Sequence, residues 1–352
     1  MSRADFRLSL VVPVYNEEES IDAFISAIDT ELAPLKDQLE IVFVNDGSRD
    51  RTREVVEQAI ARDPRVTLVN LARNFGKEAA MTAGLHQAKG DAIVPMDVDL
   101  QDPPSLILEF VKLWQTGDYD TVYGIRVDRS ADTPMKRLTA GGFYRFFNAL
   151  STSTKLPENA GDFRLIDRKV VEAIKQLPER NRFMKGLFAW AGFRAVGVPY
   201  ERPARHAGET KFNYWKLWNF ALDGLMSFSS WPLRVWSYIG VGVSFIAFLY
   251  ILKIITQVLF FGIDVPGYAS LMSVMLFLGG IQLLSLGIIG EYIGRMFVEV
   301  KQRPVYLIEG VYGQYAKQDE EQKQEVPTAS KKGAGKKAAA KAADDQQEQA
   351  SQ

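Results

Sequence analysis

Three carboxylates close a short apolar run in the first third of the chain. Residues 94–102 read Val-Pro-Met-Asp-Val-Asp-Leu-Gln-Asp, with the acids at Asp97, Asp99 and Asp102. A buried strand does not tolerate acids in its interior, but at its carboxyl end they can point together into a crevice and hold a divalent cation. The pattern therefore predicts a metal-binding corner at Asp97 and Asp99. The alternative is a solvated turn capped by the two prolines that follow.

The elements around this stretch alternate between buried strands and amphipathic helices. Apolar runs predict strands at 8–14, 39–44, 66–71, 92–96, 119–126 and 193–198, and apolar spacing predicts helices at 17–32, 50–61, 77–87 and 105–114. Such alternation implies right-handed crossovers and a largely parallel sheet. The predicted fold class is therefore an α/β nucleotide-binding architecture, whose ligand lies beyond the carboxyl ends of the strands.

Polar residues follow three of these strands and should converge. Pro13, Tyr15, Asn16 and Glu17 end the first strand, Asn45 and Asp46 end the second, and Asp97 and Asp99 end the fourth. The sequence has neither the glycine pattern of dinucleotide-binding oxidoreductases nor that of P-loop ATPases. Carboxylates beside a phosphate need a cation between them, so the expected ligand is a nucleoside diphosphate with metal. For Tyr15, contact with the base and an ordinary aromatic at a strand end remain equal alternatives.

The amino-acid composition excludes several other kinds of site and activity. The chain has 352 residues, a formal net charge of -1, no cysteine and two histidines. Near neutrality gives no argument for nucleic-acid binding, and the absence of cysteine excludes disulfides, cysteine-based zinc sites and thiol catalysis. The first seven residues contain no apolar core of a signal peptide, so the first domain is expected in the cytoplasm.

Two further places could carry chemistry. Arg126, Lys136 and Arg137 have the charge and reach to hold phosphate oxygens, although a basic pair is more often solvated surface. Asp162 follows Gly161 just before the apolar run 163–166, so it could face the same crevice. The alternative for Asp162 is a turn residue that caps its own backbone.

Several motifs in order resemble one known family. They are residues 12–17 (VPVYNE), 45–48 (NDGS), 74–77 (NFGK), 97–104 (DVDLQDPP), 161–165 (GDFRL), 208–211 (GETK) and 290–295 (GEYIGR). The sequence resembles glycosyltransferase family 2 with a GT-A fold, and is more closely similar to polyprenyl-phosphate glycosyltransferases such as bactoprenol glucosyltransferases and dolichol-phosphate mannose synthase. The resemblance covers roughly residues 7 to 310. Asn45 departs from the pattern, since many relatives have Asp there.

The resemblance implies roles for individual residues. The nucleotide would be bound by Pro13, Tyr15, Glu17, Asp46, Asp97, Gln101 and Lys211, the last on a mobile loop over residues 202–211. The metal, Mg²⁺ or Mn²⁺, would be held by Asp97, Asp99 and Gln101. The catalytic set would be Asp99, Asp162, Arg126 and Arg137, with the two arginines on the phosphate of the lipid acceptor.

The last third of the chain changes character. The predicted divisions are a GT-A domain at 1–212, an interfacial amphipathic helix at 213–232, two transmembrane helices within 233–298, a juxtamembrane segment at 299–315 and a disordered tail at 316–352. The spans, about 235–261 and 269–292, exceed the ~20 residues that cross a bilayer. Basic residues flank their outer ends but not their connector, which places both termini in the cytoplasm. Glycines in the second span favour close helix contact, within one chain or between protomers, and a homo-oligomer is expected.

Together these patterns predict a two-span enzyme of the cytoplasmic membrane. It would move a hexose, glucose from UDP-glucose as the first expectation, to undecaprenyl phosphate by a single inverting displacement. Another donor, such as GDP-mannose or a modified UDP-sugar, and a non-catalytic nucleotide-binding membrane scaffold remain alternatives. A processive polysaccharide synthase is disfavoured, because the sequence has too few spans and no Gln-x-x-Arg-Trp motif.

Overall fold

The computed structural model describes residues 3, 5–127, 160–180, 182–201, 231–261 and 267–313. Its strands are β1 (Leu8–Val14), β2 (Leu39–Asn45), β3 (Val66–Leu71), β4 (Ala92–Pro95), β5 (Thr121–Arg126), β6 (Ala160–Asp167), β7 (Ala195–Tyr200) and β8 (Ile308–Tyr312). Its helices are α1 (Ile21–Glu31), α2 (Thr52–Arg62), α3 (Lys77–Gln87), α4 (Leu106–Gln115), α5 (Arg168–Lys175), α6 (Met184–Trp190), α7 (Trp231–Phe261) and α8 (Tyr268–Val300), with a 3-10 helix at Ala33–Gln38.

All eight strands form one sheet in the order β7-β5-β6-β4-β1-β2-β3-β8. Pairing is parallel between β1 and β2, β1 and β4, β2 and β3, and β5 and β7. The chain runs from β1 outward to β3 and then returns to the other side of β1 with β4. The gap between β1 and β4 is therefore the point where the strand order reverses, and ligands bind at such points in α/β sheets.

Helices cover both faces of the sheet, which explains why the strands are apolar throughout. One core joins one face of the strands to α1, α2 and α4, and the other joins the opposite face to α3, α5 and α6. Phe24, Phe43 and Phe110 are fully buried in the first core, and Val44 and Val171 in the second. Strands buried on both faces read as continuous hydrophobic runs. The α/β fold with a largely parallel sheet is confirmed.

Two strands run against the others. β6 is antiparallel to β4 and β5, and β8 is antiparallel to β3. Because β6 is reversed, its first residues lie at the edge of the sheet where β4 and β5 end, and Ala160 pairs with Ile125. Residues 308–312 are expected in a juxtamembrane segment from the sequence, whereas the structure places them in the sheet as β8.

Helix α1 begins later than its apolar spacing predicts. Helix is expected from residue 17, but Glu17 and Ser20 form a turn in which the Ser20 amide donates to the Glu17 carbonyl at 3.0 Å. The Glu17 amide donates to Thr52 Oγ1 at 2.9 Å. The side-chain acceptor at the first residue of α2 thus holds this segment out of the helix.

Two long helices, α7 and α8, cover the regions predicted to span a membrane. They contain 31 and 33 residues, and large apolar side chains such as Phe245, Phe260 and Leu283 are exposed along them. By length and composition, one segment in the part of the chain that the structure describes could cross a membrane, Phe277–Val300. The predicted interfacial helix lies mostly outside the described residues.

Candidate active site

A crevice opens where β1, β4, β5 and β6 reach the same edge of the sheet. Its walls include Pro13, Asp97, Asp102, Arg126, Asp162 and Phe163. Pro13 comes from β1, and Asp97 and Asp102 come from the segment after β4. Arg126 comes from the end of β5 and Asp162 from the start of β6. Residues 149 positions apart in sequence therefore face one space. The strand-end argument predicts this position for Pro13 and Asp97, whereas the signal for Asp162 is the glycine that precedes it.

The segment after β4 turns sharply. Leu100 has a φ of 54°, a left-handed conformation that a branched apolar residue adopts at a cost of about 1–3 kcal/mol. The Gln101 amide donates to Asp99 Oδ1 at 3.2 Å, which fixes the carboxylate within the turn. Strain of this kind is retained where surrounding structure enforces it. Asp99 is half-buried in this turn, and it is not among the described residues that line the crevice.

A lysine without a predicted role bridges two of the carboxylates. Lys77, the first residue of α3, places its Nζ 2.6 Å from Asp97 Oδ1 and 2.8 Å from Asp97 Oδ2. The same Nζ lies 3.8 Å from Asp162 Oδ2, and Lys185 Nζ lies 3.9 Å from Asp162 Oδ1. Burial raises the pKa of Asp162, but the two ammonium groups, together with the guanidinium groups of Arg164 and Arg126, outweigh burial and hold this pKa below its usual value.

Glu78 lies behind this charged cluster. Its Oε2 accepts a hydrogen bond from the Met184 amide at 3.1 Å, at the start of α6. Burial, with a further contribution from the Asp162 carboxylate, raises the pKa of Glu78 to about 7. A group that titrates near neutral pH therefore adjoins the crevice, and no sequence pattern signals it.

Arg126 is held by two buried partners. Tyr200 donates its hydroxyl hydrogen to Asp102 Oδ1 at 2.5 Å, and Arg126 Nε donates to the Tyr200 hydroxyl at 3.3 Å. The Arg126 guanidinium is also 3.9 Å from Asp102. Burial and the Asp102 carboxylate raise the pKa of Tyr200 to about 12, so the phenol keeps its proton and remains a donor. Asp102 thus aims the arginine into the crevice from beneath.

The ends of β1 and β2 form the other half of the site. Asp46 is buried, and its two carboxylate oxygens accept from the Phe75 and Gly76 amides at 2.7 and 2.9 Å. Burial raises the pKa of Asp46 above its usual value, although both amides oppose this effect. Gly47 has a φ of 64°, and a Cβ there would lie 2.5 Å from the Arg73 backbone. Only glycine lets this turn approach the loop before α3 so closely.

Tyr15 and Glu17, which are also predicted to contact the nucleotide, lie just after β1 at this end of the site. Tyr15 is 37% exposed, which leaves its ring available to a ligand. Glu17 Oε2 accepts from the Ser20 hydroxyl at 3.1 Å. Gln101 is half-buried in the turn after β4. Arg137 and Lys211, predicted to bind phosphate, lie outside the described residues.

The donor set suits a divalent cation only in part. In the ranges that the structure describes, no group of three or more His, Asp and Glu side chains could hold a metal by itself. Asp162 Oδ1 is buried and accepts no hydrogen bond there, so one carboxylate oxygen in the crevice has unused capacity. Asp97 and Asp99 supply the hard oxygen ligands that Mg²⁺ and Mn²⁺ prefer. The residues fit a cation that completes its coordination with oxygens of a bound phosphate.

Comparison with known proteins gives consistent family matches. Residues 9–175 match the model of "Glycosyl transferase family 2" and residues 231–296 that of "GtrB C-terminal hairpin". A glycosyltransferase of Synechocystis sp. described as uncharacterized is 52% identical over 306 residues, covering 87% of this chain and 96% of that protein. A prophage-derived bactoprenol glucosyl transferase of Shigella flexneri is 52% identical over 304 residues, with coverages of 86% and 97%.

Solved structures resemble the chain more distantly. A mannosyltransferase of Pyrobaculum calidifontis in complex with GDP-Man and Mn²⁺ is 23% identical, covers 56% of each chain and has a TM-score of 0.40. Glucosyl-3-phosphoglycerate synthase of Mycobacterium tuberculosis, in complex with Mn²⁺, UDP-glucose and phosphoglyceric acid, is 20% identical over 64% of this chain and 79% of that one, with a TM-score of 0.37. At such low similarity, neither structure bears on substrate or metal here.

Proposed function

Since the chain belongs to glycosyl transferase family 2 and is a glycosyltransferase, we propose that it transfers glucose from UDP-glucose to the phosphate of a polyprenyl carrier. The bactoprenol glucosyl transferase of Shigella flexneri, 52% identical over nearly its whole length, supports both the sugar and the class of lipid acceptor. Undecaprenyl phosphate at the cytoplasmic face of the membrane is the acceptor that fits this proposal.

The observation that carries the proposal is the crevice between β1 and β4. It joins Asp97 and Asp162 to Arg126, so two carboxylates and a guanidinium that lie far apart in sequence face one space. A guanidinium is suited to bind the oxygens of a phosphate. Lys77 and Lys185 add positive charge beside the acids, where the negative charge of a departing diphosphate needs stabilisation.

The donor would lie across the other half of the site. We assign its base and ribose to the region of Tyr15 and Asp46 and its diphosphate to the turn that carries Asp97, Asp99 and Gln101. Mg²⁺ or Mn²⁺, when bound at Asp99 with help from Asp97 and Gln101, would neutralise charge on the diphosphate. Mg²⁺ sites of this kind commonly use one or two carboxylates together with substrate phosphates.

The chemical step needs little proton transfer. An oxygen of the acceptor phosphate forms a bond to the anomeric carbon, the bond from that carbon to the diphosphate oxygen breaks, and the electron pair leaves with the nucleoside diphosphate. The acceptor is already anionic, so positioning and charge stabilisation suffice. Arg126 holds and orients the acceptor phosphate, together with Arg137. Asp162 keeps Lys77 and Lys185 in the crevice. A single displacement inverts the anomeric configuration.

The long helices would bring this site to its lipid. Exposed apolar side chains along α7 and α8 favour insertion of both helices into a bilayer. We propose two spans with both termini in the cytoplasm and assembly into a homo-oligomer through the glycines of the second span. Lys211 and the loop around it would close over the donor.

Label transfer tests the proposal directly. Purified protein in detergent is incubated with labelled UDP-glucose, undecaprenyl phosphate and Mg²⁺ or Mn²⁺, and label is followed into the lipid phase. Transfer should require the metal, and Asp99→Asn and Arg126→Ala should each reduce it at least ~100-fold. Arg62→Ala, which breaks an exposed ion pair with Asp22, is the matched control and should leave the rate unchanged.

Three other outcomes would change the conclusion. Transfer from GDP-mannose or another UDP-sugar, but not from UDP-glucose, would correct the donor. Nucleotide binding without transfer from any donor would favour a non-catalytic scaffold. Equal losses in Arg126→Ala and Arg62→Ala would remove the assignment of Arg126 to the acceptor.

A further inference from the structure

The strand that follows the long helices contributes a carboxylate to the nucleotide end of the sheet. β8 pairs with β3, but the register shifts so that Leu71 lies opposite Ile308 and Asn70 opposite Gly310. Glu309 is the extra residue of the resulting bulge, and bulges re-aim side chains. Its Oε2 accepts from Asn70 Nδ2 at 2.7 Å. A residue beyond the predicted membrane spans thus contacts the core of the sheet.

From Asn70 the hydrogen bonds continue to the turn after β2. Asn70 Oδ1 accepts from Asn45 Nδ2 at 2.6 Å, and Asn45 Oδ1 accepts from the Ser48 amide at 3.1 Å. Both asparagines are buried. Ser48 Oγ in turn accepts from the Asn16 amide at 3.0 Å, in the segment after β1. The path therefore links β8 to both turns assigned to the nucleoside.

The ends of this path fix the direction of every bond in it. The Ser48 amide can only donate, so the oxygen of Asn45 must face it and the Asn45 amino group must face Asn70. The Glu309 carboxylate can only accept, so the amino group of Asn70 must face it. The two requirements are compatible at the bond between the asparagines, where the amino group of Asn45 donates to the oxygen of Asn70. Reversing either amide would set two like groups against each other.

We infer that Glu309 is a positioning residue for the nucleotide site. By accepting from Asn70 it completes the path with the polarity that the Ser48 amide requires at the other end, and so helps to hold the turn of residues 45–48, which carries Asp46, in its binding geometry. The use of that turn for nucleotide rests on the proposed function, whereas the coupling of Asn45 to Glu309 through Asn70 does not.

The direction of the hydrogen bonds in the path predicts that substitutions at Asn45 and Glu309 affect each other. A contact that only packs against the turn would not produce this coupling. In Asn45→Asp, both oxygens at position 45 accept, so Asn70 must reverse to donate to them. The Asn70 oxygen then faces the Glu309 carboxylate, and two acceptors meet. Glu309→Gln supplies an amino group at that point, so the second substitution should repair the first. When Asn45 is unchanged, the side chain introduced by Glu309→Gln can still accept from Asn70 through its amide oxygen, so this substitution alone should be nearly silent.

The experiment is a double-mutant cycle on the full chain in detergent. Binding of UDP, and of GDP in parallel, is measured by calorimetry with Mn²⁺ for the parent, both single variants and the double variant. Asn45→Asp should weaken binding about tenfold, Glu309→Gln less than about twofold, and the double variant should return to within about threefold of the parent. The unfolding midpoint of the same four proteins should follow the same order.

A matched control separates polarity from charge. Glu57 is an exposed carboxylate on α2 that pairs with Arg53, the arginine that also pairs with Glu309. Glu57→Gln removes the same charge without touching Asn70, so it should not repair Asn45→Asp. Repair by Glu57→Gln as complete as by Glu309→Gln, or no repair by Glu309→Gln, would overturn the inference.

Failure of the proposed function would look different. If the parent bound neither nucleotide, the assignment of the turn to the nucleoside would fall. The unfolding midpoints would then still decide whether Asn45 and Glu309 are coupled: absence of repair there would overturn the coupling as well.

Discussion

The two halves of the site are held together by different forces. At the ends of β1 and β2, hydrogen bonds satisfy the polar groups: both oxygens of Asp46 accept from backbone amides, and Asn45 is bonded on both sides. At the end of β4 and the start of β6, ion pairs between carboxylates and lysines predominate. Asp97 and Asp162 share Lys77, and one oxygen of Asp162 accepts no hydrogen bond in the described part of the chain.

The difference indicates what each half does before a ligand arrives. A network of short hydrogen bonds is preorganised, so the hydrogen-bonded half, at the ends of β1 and β2, should keep its shape in the free protein. Ion pairs with long side chains can exchange partners at small cost. The charged half is therefore suited to release its ammonium groups to incoming phosphates. Substitutions in the charged half should affect rate, and those in the hydrogen-bonded half should affect donor affinity.

Asp162→Asn should have the largest effect of the substitutions considered, and it tests whether the two halves of the site have separate roles. It removes the charge that holds Lys77 and Lys185, so transfer should slow by about 10²–10³-fold while UDP affinity changes only a few-fold. Single-turnover label transfer and calorimetry measure the two quantities. Asp118→Asn, at an exposed carboxylate, is the control. An equal loss of rate and affinity would show that the halves are not separate.

Asp46→Asn tests the hydrogen-bonded half. Asparagine has one acceptor where aspartate has two, so one of the Phe75 and Gly76 amides loses its partner at a cost of about 1–3 kcal/mol. We expect donor KM to rise about tenfold with little change in kcat, and the unfolding midpoint to fall. A kcat loss with unchanged donor KM would contradict this assignment. Asp37→Asn, an exposed carboxylate in the 3-10 helix, is the comparison variant.

Asp102→Asn sharpens the comparison within the charged half. Loss of this charge weakens the support of Arg126 and replaces an acceptor of the Tyr200 hydroxyl. Acceptor KM should rise about fivefold, and donor KM should not move. Tyr200→Phe, which keeps Asp102 but removes the linking hydroxyl, should give a smaller change in the same direction. A change in donor KM alone would assign Asp102 to the nucleotide instead.

Glu78→Gln has the smallest expected effect and depends on pH. Its pKa is raised from 4.5 in the unfolded chain to about 7 in the folded protein, so the folded state binds more protons between these values. The stability that the folded protein gains by keeping Glu78 protonated is complete below pH 4.5, and it is lost as pH rises through about 7. Glutamine stays neutral and can still accept from Met184. The variant should therefore melt about 2–4 °C above the parent near pH 8, with no difference at low pH; the opposite trend would refute the raised pKa.

Much of this site could be predicted from short patterns. The apolar runs located the strands within a few residues, and acids at strand ends marked Asp97 and Asp99, because the periodicity of a buried strand and the place of polar residues after it are local properties. The α/β fold, the enzyme class and the family are confirmed. The roles of the individual site residues remain predictions, and two of these residues, Arg137 and Lys211, lie outside the described ranges.

Tertiary structure decided what local patterns do not encode. Strand direction brought Asp162 to the crevice, because β6 runs against its neighbours and begins where β4 and β5 end. Packing placed Lys77 between two carboxylates and Tyr200 beneath Arg126. The contact between Asn70 and Glu309 joins residues 239 positions apart. Sequence periodicity reports which face of an element is buried, but which elements become neighbours is settled only when the strands pair into the sheet.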